Sequence, residues 1–492
     1  MSVKWSSKKR KRPLKVLWIA QGCSLQDDAK NPGLTGRMES VLTPFFGDRI
    51  QLAVAYMADG KHSQKMRRGG IEYYSVDADL RVGITDRDWE RAREQLLCVI
   101  RDFCPDLIQC FGSEWPYGMI AEVVNIPVEV HLMGFLNIYY LSIHMARGDI
   151  WKKQSAVRKK PLEAWPEKPH SPVKPQQMQE IQVNKETIGE AIEESIGKTI
   201  EETTREAIGE TVEETVEDRC RRFERRVMAA SRFFFGRTQW DRNIARYYSP
   251  GSRYFHVPEV IKPSIYKALG QWKYQQRSRL RLFSLSSGDD RKGNEIILRT
   301  AEILKYLLGL DLEWRVAGSR DFIPYYEQRT GIMHEDVGIE LLGMIGSEEI
   351  IEEMRSADLF VHPSIMDNSP NTVCEAQLIG CPVIASNVGG LPDLVENGKT
   401  GFLYPYNEPH TLAFMIANLR GDKKLLSEIS KNEVTEARRR HDPQMIAEVM
   451  FRAYETIVKN PEMDDKDPEI LERFFNFNKS SVRRLKRSQK TR

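Results

Sequence analysis

The sequence predicts an α/β protein made of two doubly wound domains. With 492 residues, the chain is too long for one hydrophobic core. An apolar run at residues 14–20 is followed by a long polar loop that reaches residues 33–36, and then by a helical pattern. An apolar strand, a polar loop and a helix follow one another again from residue 280. Units in this order are typical of parallel sheets covered by helices.

The first domain begins with the strand at residues 14–20. The helix after Arg37 carries apolar residues at Met38, Val41 and Leu42. Pro127 is acceptable in a strand because it lies at the strand's start. Further strands are predicted at residues 51–56, 107–111, 126–134 and 233–235, and further helices at residues 89–103 and 221–227.

The second domain is predicted to begin with the strand at residues 280–286. Further strands are predicted at residues 312–317, 339–342, 359–362 and 382–385, and a helix at residues 443–458. We therefore divide the chain into a basic tail (1–13), a first domain (14–265), a second domain (266–430), C-terminal helices (431–460) and a loosely ordered basic tail (461–492).

An acidic insertion interrupts the first domain at about residues 150–218. It contains an eight-residue repeat, at residues 188–195, at residues 196–203 and again from Ile208. Apolar residues recur every fourth position, which favours a helix with one narrow apolar stripe, although the glycines weaken it. We predict a protruding acidic helix or hairpin that binds a partner. A solvated repeat expansion without a role is the alternative.

Composition excludes several classes of function. The formal net charge is only +3, so no nucleic acid partner is expected. The seven cysteines form no C-x-x-C pair, which favours a reducing compartment and argues against a disulfide scaffold or a zinc site. No apolar run reaches the length of a membrane span, so cytoplasm is the expected location. The basic clusters at residues 8–12 and 483–487 are typical of solvated tails, or of peripheral contact with anionic lipid at the inner face of a membrane.

The segment at residues 361–376 has the strongest functional pattern. Ser369 is a good N-cap and Pro370 suits the first helical position, which would leave the amides of Asn371 and Thr372 unpaired. Unpaired amides at a helix N-terminus form a phosphate site. Two acids flank this site eight residues apart, Asp367 and Glu375, and sugar or ribose hydroxyls are suitable ligands for them. An ordinary helix start with solvated acids is the alternative.

Other candidates lie where strands end. Lys292, in the loop after the strand at residues 280–286, could reach a diphosphate from the opposite side, and a solvated surface lysine is the alternative. His131 ends a strand in His-x-x-Gly, where ligands bind in such domains, and an ordinary core histidine is the alternative. Glu114 is a candidate for the acceptor side, with a solvated loop acid as the more common interpretation.

Together these motifs resemble glycosyltransferase family 4, whose members are retaining enzymes of the GT-B fold, with two Rossmann-like domains facing each other across a cleft. The segment from Asp367 to Glu375 is similar to the family's E-x7-E motif. Further similar stretches are Glu375-Ala376, the proline after Gly380, and Gly389-Gly390-Leu391-Pro392. A bacterial subset linked to capsule or surface polysaccharides is similar at Gly236-Arg237-Thr238 with Trp240-Asp241, and at Phe255-His256 with Glu259.

The resemblance implies roles for the residues that match. Glu375 would bind the ribose of a nucleotide-sugar, and Asp367 would bind hydroxyls of the donor sugar. The loop at residues 33–36 would approach the donor from the first domain, with His131 and the acceptor-side Glu114 nearby. The catalytic residues would be Asp367, Glu375, Lys292 and His131. The donor-binding residues would be Arg291, Asn368, Ser369, Asn371, Thr372, Gly33 and Gly36. The family uses no metal and no cofactor, so orientation and charge stabilisation would carry catalysis.

Three departures from the family pattern bear on sugar choice. Asp367 replaces the usual glutamate, which shortens the side chain by one methylene. Ser287 stands where many members have an arginine, for which Arg291 is a possible substitute, and Met133 stands where a polar residue is common.

Three hypotheses follow. The first is a glycosyltransferase that uses a nucleotide-sugar donor and a glycan or lipid-linked acceptor in polysaccharide or glycoconjugate synthesis. The second is a sugar-nucleotide epimerase, which would need acid/base groups in the first domain that we cannot identify. The third is a non-catalytic nucleotide-sugar-binding or assembly protein of the same fold, suggested by the departures and by the acidic insertion.

Overall fold

The computed structural model describes residues 12–26, 33–58, 64–78, 85–140, 214–286, 290–320 and 323–462. These residues form two twisted sheets covered by helices, one in each of two domains. The predicted fold class, two Rossmann-like domains, is confirmed. The predicted insertion lies outside the described residues as far as residue 213.

The first domain is built on an eight-stranded sheet in the order β3-β4-β2-β1-β5-β6-β7-β8. All neighbours pair in parallel except β3 and β4, which form an antiparallel hairpin at one edge. The strands are β1 (Leu14–Ala20), β2 (Ile50–Ala58), β3 (Lys65–Arg68), β4 (Ile71–Asp77), β5 (Leu107–Phe111), β6 (Val128–His131), β7 (Phe233–Gly236) and β8 (Arg253–His256). The helices are α1 (Leu34–Phe46), α2 (Asp86–Phe103), α3 (Val216–Ala230), α4 (Gln239–Tyr248) and α5 (Pro263–Lys267).

The second domain is built on a six-stranded parallel sheet in the order β11-β10-β9-β12-β13-β14. The strands are β9 (Leu280–Ser286), β10 (Leu312–Gly318), β11 (Ile339–Gly343), β12 (Leu359–His362), β13 (Val383–Ser386) and β14 (Phe402–Tyr404). The helices are α6 (Asn294–Glu302), α7 (Ile323–Thr330), α8 (Ser347–Ser356), α9 (Asn371–Ile379), α10 (Leu391–Leu394), α11 (Pro409–Leu419), α12 (Lys423–Arg440) and α13 (Pro443–Lys459). None of the helices within the described ranges combines the length and the apolar character that a membrane crossing requires.

The last helix returns to the first domain. Helix α13 buries its apolar face against β1, β5 and α1, in the same hydrophobic cluster as Trp18 and Phe111. The Trp18 indole donates to the Tyr454 hydroxyl at 3.2 Å, and this hydroxyl donates to the side chain of Gln109. Helix α12 stays on the second domain, where it packs against α9. The chain therefore crosses between the domains a second time at residues 441–442.

Several predicted boundaries are wrong, for local reasons. Helix α1 begins at Leu34 rather than after Arg37, so Gly36 lies in its first turn and not in a loop. The strand predicted at residues 126–134 is shorter: Val128–His131 pairs with β5, and residues 129–131 also pair with β7. The β3–β4 hairpin was not predicted, because all of β3 is exposed and gives no apolar alternation. Gly69 and Gly70 make its turn, both with left-handed φ, at 58° and 86°.

Candidate functional site

The candidate site lies where the carboxyl ends of the two sheets meet. Strand β12 ends at His362, and the chain then makes a polar turn before α9 begins at Asn371. From the other domain, the chain leaving β7 at Gly236 touches this turn through Thr238. The site is therefore formed by both domains. It lies at the carboxyl ends of parallel strands, where ligands bind in folds of this kind.

The start of α9 differs in one detail from the sequence prediction. The N-cap is Pro370, with φ −65° and ψ 123°, and Asn371 is the first helical residue, so Ser369 does not cap the helix. The amides of Asn371 and Thr372 remain in the first turn, where no intrahelical acceptor exists. The Asn371 Oδ1 is buried and has no hydrogen-bond partner among the described residues.

Asp367 is the centre of a charged cluster. Its Oδ2 lies 2.7 Å from the Lys292 Nζ and 3.2 Å from the His362 Nε2, and the Ser364 hydroxyl bonds the same imidazole nitrogen at 3.0 Å. Burial opposes ionisation of Asp367, but Lys292 and the His362 hydrogen bond outweigh it, so the pKa of this carboxyl lies below its usual range. Asp367 is thus an anion that already holds Lys292, the cation predicted to bind the diphosphate.

Glu375 has the opposite environment. It is 5% exposed, and no hydrogen bond or ion pair joins its carboxyl to any described side chain. Burial raises the pKa of Glu375, and the nearby charges of Lys262 and Arg37 oppose that rise. The carboxyl oxygens of Glu375 therefore have lone pairs left to accept hydrogen bonds from a ligand.

Arg37 and Lys262 were not among the predicted site residues. Arg37 lies in the first turns of α1, 6% exposed, and donates to the Val260 carbonyl at 3.3 Å. Its position directly after Gly36 was the available signal. Gly33, predicted in the same donor-binding set, is the N-cap residue of α1 and accepts from the Arg37 amide at 2.9 Å. Gly36 lies in the first turn of α1, where its amide has no intrahelical acceptor.

His131 lies at the end of β6 with a buried, neutral ring. Its ring stacks on Phe111 with centroids 5.5 Å apart and meets Phe235 edge-on at 6.1 Å. Burial and the charge of Arg237 lower the pKa of His131 to about 3. The ring therefore carries no positive charge near neutral pH, although its Nδ1 is buried without a partner among the described residues.

Glu114 is not the solvated loop acid that was the more common interpretation. Its Oε2 is buried without a hydrogen-bond partner among the described residues. Burial raises the pKa of Glu114 to about 7. Its carboxyl folds back over Gly112, where an added Cβ would lie 2.7 Å from it and where φ is +85°. Glycine at position 112 therefore makes room for the carboxyl at this edge of the first sheet.

Two predicted donor-binding side chains contact the first domain instead. The Arg291 guanidinium lies over the Tyr139 ring at 4.0 Å from its centroid, a cation–π contact across the cleft. The side-chain amide of Asn368 bonds Thr238 and Asp241 of the first domain. The Asn368 side chain is thus already bonded to the first domain, and its role in donor binding stays a prediction. Ser287, the departure that Arg291 was expected to offset, lies outside the described residues.

Comparisons with known proteins relate the second domain to glycosyltransferases. The family model described as "Glycosyl transferases group 1" matches residues 281–422, which include Lys292, Asp367 and Glu375. The amylovoran biosynthesis glycosyltransferase AmsK of Erwinia amylovora is 29% identical over 148 residues, covering 28% of this chain and 36% of that protein. The chain thus spans about a third of the length of this relative.

Solved structures resemble almost the whole chain. Sucrose-phosphate synthase from Thermosynechococcus elongatus superposes with a TM-score of 0.61 over 90% of this chain and 99% of that one, at 14% identity. HepE from Anabaena, solved in complex with UDP-glucose, gives a TM-score of 0.53 over 90% of this chain and 100% of that one, at 15% identity. At such identities the likeness concerns the fold. Residues 281–422 match the glycosyl transferases group 1 family model, and they lie in a chain with the GT-B fold.

Proposed function

We propose that this protein is a retaining glycosyltransferase that moves a sugar from a nucleotide-sugar donor to a glycan or lipid-linked acceptor. Its place would be polysaccharide or glycoconjugate synthesis in the cytoplasm or at the inner face of a membrane. The observation that carries the proposal is Glu375, a buried carboxyl without a described partner beside the first turn of α9. Hydroxyl donors on a ribose would satisfy this carboxyl while the helix amides hold the attached phosphates.

The charged cluster would stabilise the leaving nucleotide. The Lys292 Nζ lies 2.7 Å from the Asp367 Oδ2. A donor diphosphate bound to the amides of Asn371 and Thr372 would share this ammonium with the carboxylate. Positive charge held in place before the glycosidic bond breaks lowers the barrier, because negative charge develops on the diphosphate. In this proposal no metal is needed for that task, and catalysis depends on orientation and charge.

The first domain would supply the acceptor side. Glu114 has a carboxyl oxygen that is buried and unpaired among the described residues, and it lies in the domain that faces the donor turn. An acceptor hydroxyl is a suitable donor to it. AmsK, a relative over part of the chain, is named for amylovoran biosynthesis, which supports a surface polysaccharide as the product class.

The test is a donor panel. Sugars linked to uridine, guanosine and adenosine diphosphate are incubated with the full chain, with and without a pool of glycan and lipid-linked acceptors. Release of nucleotide and transfer of sugar are followed by mass spectrometry, with and without a chelator, and NMR gives the anomeric configuration. We expect turnover of at least one donor in chelator, with retention, and a loss of about a hundredfold in Lys292→Met.

Lys305→Met is the matched control. Lys305 belongs to the same domain, and its exposed ammonium bonds only the carbonyl of Asp336 among the described residues, at 2.6 Å. The activity of Lys305→Met should equal that of the wild type. Equal turnover by Lys292→Met and Lys305→Met would contradict the site assignment. Donor binding without turnover of any donor would favour the non-catalytic alternative.

A further inference from the structure

A buried polar contact joins the two domains within one residue of Asp367. The Thr238 hydroxyl donates to the Asn368 Oδ1 at 2.6 Å, and the Asn368 Nδ2 donates to the Asp241 Oδ2 at 3.1 Å. All three residues are at most 2% exposed. We call this three-residue contact the amide bridge.

The first-domain half of the amide bridge is rigid. Thr238 caps α4 and forms a capping box with Asp241, whose amide donates to the Thr238 hydroxyl at 3.2 Å. The Arg237 amide donates to the Asp241 Oδ2 at 2.8 Å, and the Tyr254 hydroxyl donates to the Thr238 carbonyl at 3.0 Å. These bonds fix both groups that Asn368 meets, so the bridge has little freedom to adjust to another side chain.

Only a side-chain amide fits between these two groups. Thr238 presents a donor and Asp241 presents an acceptor, and an asparagine offers one acceptor and two donors on a short stem. Aspartate at position 368 would place a second carboxylate against Asp241, and an apolar residue would leave Asp241 with one partner fewer in a buried place. The bridge is therefore specific for the residue that the chain has at position 368.

The second-domain half of the amide bridge is continuous with Asp367. The backbone amide of Asn368 donates to the Asp367 Oδ1 at 3.1 Å, and the backbone amide of Gly390 donates to the Asp367 carbonyl at 3.0 Å. Gly390 also packs beneath Thr238, because a Cβ there would collide with the Thr238 methyl group and the Asn368 carbonyl. A rotation that separates the domains must break the bridge and release this turn.

We propose that Asn368 is a positioning residue, which holds Asp367 and its partner Lys292 in the reactive arrangement only when the two domains are closed. The inference rests on the proposed transferase function. It explains why the polar side chain after Asp367 contacts the other domain rather than the cleft. Closure of the domains would then complete the donor site, and an open enzyme would bind the nucleotide without transferring the sugar.

The proposal predicts a separation between kcat and KM. Glu375 and the amides of α9 belong to the second domain alone, so donor affinity should depend little on the bridge. Thr238→Val and Asn368→Ala should each lower kcat by about tenfold or more and change the donor KM by less than about threefold. The double variant should lose little more than either single variant, because both remove the same contact. Thr238→Ser keeps the hydroxyl and should retain kcat.

Thr85→Val is the control for the loss of a helix cap. Thr85 caps α2 of the same domain with the same capping box, in which the Asp88 amide donates to its hydroxyl at 3.1 Å. Thr85→Val should lower the apparent unfolding temperature, as Thr238→Val should. It should not lower kcat when kcat is calculated from the concentration of donor-binding sites measured by titration. A fall in kcat that Thr85→Val matches, or that is additive in the double variant, would overturn the proposal.

The two proposals fail in different ways. A wild-type chain that turns over no donor would refute the transferase function. The bridge would then be tested by unfolding temperatures alone, since losses in Thr238→Val and Asn368→Ala should still be less than additive. Additive losses would show that the two side chains are not coupled, and would overturn the bridge whatever the activity.

Discussion

At the scale of single residues, the two acids of one motif differ in ionisation and in their partners. Asp367 is ionised and paired with Lys292, whereas Glu375 is buried without a described partner and has a raised pKa. Their spacing and residue type were visible in the sequence, and so was Lys292 as a nearby candidate. The pairing was not predictable, because Lys292 and Asp367 are 75 positions apart and only the packing of β9 against β12 joins them.

Glu114 gives the residue scale its pH prediction. Its pKa in the fold is about 7, above the value of an unfolded glutamate, so the folded chain binds the extra proton between these two values. The contribution of Glu114 to stability is therefore complete below the unfolded pKa and is lost as pH rises towards 7. Glu114→Gln should be more stable than the wild type at pH 8 by on the order of 2 kcal/mol, and should not differ by this amount at pH 4.

Denaturant unfolding of both proteins at the two pH values measures this difference. Glu94→Gln, a change of an exposed acid on α2, serves as the control and should have the same pH dependence as the wild type. A stability difference between Glu114→Gln and the wild type that is the same at pH 8 and at pH 4 would contradict a raised pKa for Glu114.

At the scale of elements, the pattern of apolar residues predicted the strands well. It predicted the polar ends of the helices poorly. Strands β1, β5, β9 and β12 lie at the predicted residues, because continuous apolar runs are what buried parallel strands require. The start of α9 was misplaced by one residue, because Ser369 and Pro370 both satisfy the composition of a helix N-terminus. The contact of Thr238 with Asn368 spans 130 positions, so spacing along the chain gave no indication of it.

The acidic insertion supplies the prediction at this scale. Its predicted C-terminal limit, about residue 218, lies within α3, which begins at Val216, and Glu214 accepts from the Arg222 guanidinium at 3.0 Å. Removal of residues 185–213 should preserve nucleotide binding, since Lys292, Asp367 and Glu375 lie in the other domain. A thermal-shift assay with nucleotide tests this. Removal of residues 185–218 should cost stability as well, because it deletes the Thr215 cap of α3. Loss of the nucleotide-induced shift in the shorter deletion would show that the insertion supports the donor site.

At the scale of the whole molecule, the two domains are connected by more than the linker before β9. Helix α13 leaves the second domain and packs on the first, and the amide bridge joins the domains at the cleft itself. The sequence predicted two domains and a helix at residues 443–458. It did not predict on which domain that helix lies, because an amphipathic pattern defines a buried face without naming its partner.

The most direct test of the account is the affinity of Glu375→Gln for the nucleoside diphosphate that the wild type binds best, measured by titration calorimetry. Glu433→Gln is the matched control, because Glu433 is also buried in the second domain, packed near Cys381 at the amino end of β13 and away from the cleft. Loss of the charged hydrogen-bond acceptor at position 375 should weaken binding by about tenfold or more. The control should bind as the wild type does. Unchanged affinity in a folded Glu375→Gln protein would contradict the assignment of Glu375 to the ribose, and with it the donor site described above.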